Sequence, residues 1–170
     1  MTAMAPPVPP CPVRSEDPFF AADTAPSPQF ARRVRMPPEP GAAALARAEV
    51  AAAIRAWGIG VDPDVALLLT SELVTNAVTH GVAAAADPSD CQSEVADQVT
   101  LEIIADAAGL RVDVHDGSAD PPVLTTPALQ AEQESGRGLL LVTSLAAEWG
   151  YYPTPAGKAV YFTLDVMPES

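Results

Sequence analysis

Apolar residues along this chain recur with two periods, about 3.6 residues in some stretches and two in others, and the switches mark helices and strands. The run Ala31, Arg32, Arg33, Val34, Arg35 and Met36 partly alternates, which predicts an edge strand ended by Pro37 and Pro38. From 41 to 57 the chain is rich in alanine, with Leu45, Val50, Ile54 and Trp57 roughly on one stripe. That predicts a first helix, closed by Gly58 and Gly60. Asp62 before Pro63 offers an N-cap followed by a proline at the first helical position. A second helix is therefore expected from there to His80, with Gly81 as its stop. Val99, Leu101 and Ile103 then alternate with polar residues, as do Leu110, Val112 and Val114, and Ala108 with Gly109 between them predicts a hairpin. An apolar helix is expected from 139 to about 147, and a last strand over 159–166 with Val160, Phe162 and Leu164 on one face. These elements predict an α+β domain, a two-layer sandwich of helices on one face of a mixed, mainly antiparallel sheet.

Composition sets the limits of the domain. Residues 1–28 are rich in Pro, Ala, Ser and Asp, too poor in burial to offset their ordering entropy, and are expected to form a disordered tail before a domain at 29–168. Residues 82–97 read as an exposed connection. The 170 residues are 48% hydrophobic and only 18% charged, enough for one well-filled core. No apolar run reaches the roughly 18 residues a membrane span needs, and the N-terminus lacks the pattern of a signal peptide. A cytoplasmic location away from membranes is expected. The formal net charge of −13 argues against direct nucleic-acid binding, since Arg32, Arg33 and Arg35 form the only basic cluster. Cys11 and Cys91 belong to no metal or disulfide pattern.

Three stretches carry candidate chemistry. In SELVTNAVTHG, residues 71–81, Glu72, Asn76 and His80 follow each other by four. Four residues turn about 400°, so the three lie on one slowly drifting polar face, opposite Leu73, Val74, Ala77 and Val78. Alone, that face reads as solvated surface. Asp116 and Gly117 then end a strand, where a carboxylate can accept from an exocyclic amine while glycine admits a ligand to the backbone. Finally Gly136, Arg137, Gly138 and Leu139 open an apolar helix, whose free N–H groups suit an anion.

In that order the three stretches resemble the histidine-kinase-like ATPases, and within them the actinobacterial anti-sigma-factor serine/threonine kinases. SELVTNAVTHG matches the family's N box, and ESGRGLLLVTSLAAEWGY its second glycine box. The resemblance covers about residues 30–166 and implies the Bergerat ATP-binding fold, with ATP and Mg²⁺ bound. It assigns Asn76 to the metal and Glu72 to the general base that takes a proton from an attacking hydroxyl. His80 either reaches phosphate or only finishes the helix. Asp116, with Gly117 beside it, would read the adenine amino group; Gly136, Arg137, Gly138 and Leu139 would cradle phosphate. Thr163 either supports the adenine pocket or belongs to the sheet. One departure stands out: where the family's first glycine box reads D-x-G-x-G, this chain has Asp116, Gly117, Ser118, Ala119 and Asp120, so both glycines of the pattern are replaced. Ser118, Thr125 and Thr126 are candidate hydroxyls toward the nucleotide. The resemblance further implies regulation of transcription through protein partners, a sigma factor and a small antagonist phosphorylated by the kinase, and a homodimer. The alternatives are a nucleotide-gated binding module without catalysis and an interaction domain without nucleotide.

Overall fold

The computed structural model describes residues 29–81, 98–122 and 138–168. The expectations placed on residues 1–28 and 82–97, and on Thr125, Thr126, Gly136 and Arg137, lie outside the described residues. The elements are β1 (Phe30–Met36), α1 (Ala42–Trp57), α2 (Pro63–His80), β2 (Val99–Ala105), β3 (Gly109–Asp116), α3 (Gly138–Leu145), β4 (Glu148–Thr154) and β5 (Gly157–Asp165). The strands form one sheet in the order β1-β2-β3-β5-β4. Every pairing is antiparallel, so the sheet is not mixed. The helices pack against each other and on one face of the sheet, which completes the expected α+β sandwich.

The core follows from the two periods. Leu101 and Ile103 of β2, Val112 of β3 and Phe162 of β5 are fully buried on the face that meets the helices, where α1 contributes Ala46, Val50 and Ala53, and α2 contributes Ala66, Leu69 and Val74. Alanine therefore forms much of the α1 contact and lets it lie close to its neighbours. Leu45, expected on that stripe, is 43% exposed instead. Trp57 ends α1 by stacking on Phe30 of β1 at 5.4 Å between ring centroids. Gly58 then caps α1 in the left-handed region at φ 65°, which glycine adopts without strain.

α2 starts as expected. Asp62 caps it, its Oδ1 accepting from the backbone N–H groups of Asp64 at 2.9 Å and Val65 at 3.3 Å. Its end differs in kind. Gly81 has φ −76°, an ordinary right-handed conformation, so glycine is needed there for another reason, given below.

β4 is an element that the apolar pattern did not reveal. Pro153 interrupts its alternation, but β4 is an edge strand, where a missing N–H leaves no ladder bond broken. β5 begins at Gly157 and forms a hairpin with β4.

The sheet face away from the helices is polar. Arg111 donates twice to Asp113, at 2.8 and 2.7 Å, and its guanidinium lies 4.0 Å from the centroid of the Tyr161 ring. Nearby, Glu102 meets His115 at 3.3 Å and Arg33 at 2.9 Å.

Candidate functional site

Four pieces of chain meet along α2: the end of β3, the start of α3, the start of β5 and the polar face of α2 itself. The amphipathic pattern turns Leu73, Val74 and Ala77 into the core, so Glu72 and Asn76 remain half-buried at the edge of it and His80 stands exposed. From Glu72 to His80 the helix advances about 12 Å.

Each end of that row is fixed by a glycine. Gly138, the first residue of α3, lies against Glu72: a Cβ there would collide with Oε2 and come within 3.2 Å of the Glu72 Cβ. The carboxylate of Glu72 thus sits beside Gly138 in the first described turn of α3. At the other end Gly81 lies against Asp116, and a Cβ would come within 2.6 Å of the aspartate's own Cβ besides striking the Ala77 carbonyl. This close approach explains the glycine that the backbone angle does not.

Asp116 is only 7% exposed. Its Oδ1 accepts two hydrogen bonds, from the Ser118 N–H at 2.9 Å and from Lys158 Nζ at 2.9 Å. Its Oδ2 accepts none among the described residues. A buried carboxylate oxygen without a donor is costly in a finished structure and is where a ligand's N–H would bind.

The loop that departs from the glycine pattern is held by side-chain turns. Asp116 accepts from the N–H two residues on, and Ser118 Oγ in turn accepts from the Asp120 N–H at 3.2 Å. Such turns give the backbone partners without needing glycine. Ser118, 2% exposed, therefore serves the loop rather than standing open to a ligand.

The expected site residues divide as follows. Glu72, Asn76, Asp116, Gly117, Gly138 and Leu139 fall along one path, with Leu139 buried under the start of α3. Thr163 does not join them. It pairs with Arg111 on the polar face of the sheet, opposite the face that carries Asp116, and its hydroxyl donates to the Glu148 carbonyl at 3.4 Å. Lys158 was missed. The signal was present: Lys158, Val160, Phe162 and Leu164 share one face by period two, and a lysine on an apolar face calls for a buried anion.

A purine nucleotide with its metal fits these residues. The free Oδ2 of Asp116 matches an exocyclic amine, and the Asn76 amide, which makes no hydrogen bond among the described residues, offers Mg²⁺ an oxygen. No group of three His, Cys, Asp or Glu that could hold a metal gathers among the described residues. No helix among them is long and apolar enough to cross a membrane. The family model described as "Histidine kinase-like ATPase domain" matches residues 36–164, a span that includes every site residue above. No curated protein matches the chain.

Proposed function

Since the chain belongs to the histidine kinase-like ATPase domain family, we propose that it is an ATP-dependent protein serine/threonine kinase of the anti-sigma-factor type. Family membership implies ATP binding and kinase-like chemistry; the acceptor and the regulatory role are the finer part of the proposal. The observation that carries it is the span of α2, which sets Glu72 against the first residue of α3 and Gly81 against Asp116. One rigid element thereby joins an acceptor for a nucleobase amine to a carboxylate packed against Gly138 of α3.

The residues act as follows. Asp116 Oδ2 accepts from the base amino group, which favours adenine over guanine. Asn76 would hold Mg²⁺ through its amide oxygen, and the ion would supply positive charge beside the phosphates. ATP with Mg²⁺ supplies the γ-phosphoryl group. Glu72 takes the proton of the incoming serine or threonine hydroxyl, so that its oxygen bonds to phosphorus as the bridging oxygen leaves with ADP. By the family resemblance, the backbone at Gly138 and Leu139 would meet the negative charge of the phosphates. The acceptor would be a small antagonist protein, and the partner controlled by its phosphorylation a sigma factor. A homodimer in the cytoplasm completes the proposal.

Calorimetric titration of ATP with Mg²⁺, beside GTP and an Asn76→Ala variant, tests the binding half. Adenine-selective binding weakened in the variant is the expected result; equal binding of ATP and GTP would remove Asp116 as the base reader. Glu72→Ala tests the chemistry: ADP formation should fall at least about a hundredfold with ATP affinity kept. A second reading, a nucleotide-gated binding module without transfer, is favoured by one feature, the loop pinned through Ser118 where the family pattern has glycine. Unchanged partner control in Glu72→Ala would select it.

A further inference from the structure

Lys158 occupies a place where lysine is costly. It faces the core side of β5 in phase with Val160, Phe162 and Leu164 and is 6% exposed. Burying an ammonium is tolerated only against a well-placed anion with its other donors satisfied. The register provides one: Lys158 is paired with Asp116 at the end of the β3–β5 ladder. Nζ donates to Asp116 Oδ1 at 2.9 Å and to the Ser118 carbonyl at 3.4 Å. Gly157 makes the approach possible, because a Cβ there would strike the Asp116 carbonyl.

The geometry of the pair is one-sided. Both donors to Asp116, Lys158 Nζ and the Ser118 N–H, fall on Oδ1, and neither touches Oδ2. An aspartate carboxylate turns easily about its last torsion, and its two oxygens are otherwise equivalent. Two donors on one oxygen break that equivalence.

We propose that Lys158 is a positioning residue for nucleobase selection: it clamps Asp116 by Oδ1 and so leaves Oδ2 as the single acceptor offered to the exocyclic amine of the base. The inference rests on the nucleotide reading above. It makes selectivity depend on how many carboxylate oxygens the lysine occupies, beyond the charge it supplies. A compact ammonium takes one; a planar guanidinium takes two in its usual fork.

The test compares ATP with ITP, which carries a carbonyl oxygen where ATP has the amine, by Mg²⁺ titration of the full chain and of Lys158→Met and Lys158→Arg. The wild-type chain should prefer ATP by about 10- to 100-fold, the worth of a hydrogen bond to a charged acceptor. Lys158→Met frees the carboxylate to turn, and the ratio should fall to within about threefold. Lys158→Arg keeps the buried charge and is the variant to rely on if the methionine chain does not fold. Its fork would cover Oδ2, so the ratio should collapse although the thermal midpoint is kept. A lysine with only a structural role would weaken ATP and ITP alike and leave the ratio unchanged, as would an arginine variant that still prefers ATP; either result overturns the inference while the nucleotide reading stands. A wild-type chain that binds neither nucleotide overturns both.

Discussion

At the scale of single residues, two glycines in the same site have opposite consequences. A Cβ at Gly138 meets first the far end of the Glu72 side chain, which can swing aside. Alanine also favours a helix over glycine by about 0.8–1.0 kcal/mol. Gly138→Ala should therefore unfold at nearly the wild-type temperature while ADP formation falls at least about tenfold, because the proposed general base would be moved. A Cβ at Gly81 meets backbone, the Ala77 carbonyl, and the first carbon of a side chain already fixed by Lys158. Neither can yield, so Gly81→Ala should lose about 1–3 kcal/mol of stability, read from the midpoint of chemical unfolding. Equal stability of the two variants would show that α2 is not tied to β3 at this point.

At the scale of elements, α2 matters most because it carries the polar row, and its start is secured far from the chemistry. Asp62 satisfies two of the N–H groups that a helix leaves open at its beginning. Asp62→Ala should cost about 1 kcal/mol and lower the thermal midpoint by roughly 3 °C. Nucleotide affinity should hardly change, since Asn76 lies more than three turns away. Helix α2 was legible in the sequence to the residue, because cap, proline, periodicity and terminal glycine all agree. Strand β4 was not: Trp149 and Tyr151 sit correctly for one face, but Pro153 reads as a breaker until the strand is known to lie at an edge. Within the site, the spacing of Glu72 and Asn76 along α2 reads alone as solvated surface, and only the order of the three motifs singles out these two and Asp116 as candidates. Thr163, expected either in the pocket or in the sheet, belongs to the sheet. Lys158 was overlooked because β5 begins two residues before the expected 159, and only the pairing with β3 shows that this residue stands beside Asp116.

At the scale of the whole molecule, the polar face of the sheet sets a response to acid. The hydrogen bond with His115 holds the Glu102 carboxyl below its ordinary value, helped by the charge of Arg33 and opposed by burial. A depressed carboxylate gives stability that is complete above its unfolded value and is lost as pH falls through the folded one. Stability should therefore decline on the acid side, and Glu102→Gln should flatten that decline when unfolding midpoints are compared between roughly pH 3 and pH 6. The effect will be modest, because Arg33 is 55% exposed and solvent screens it. The same sheet has a further consequence through its strand order. β3, which ends at Asp116, has a bonded neighbour on each side, whereas α3 is held mainly by α2 and only lightly by β4. In hydrogen–deuterium exchange the amides of β3 should already open only with global unfolding, leaving a bound nucleotide little local protection to add. Nucleotide should instead slow exchange sharply at the first turn of α3. On the proposed reading, the end of the site built into the sheet selects the base, and the end carried by a lightly held helix lies by the group to be transferred.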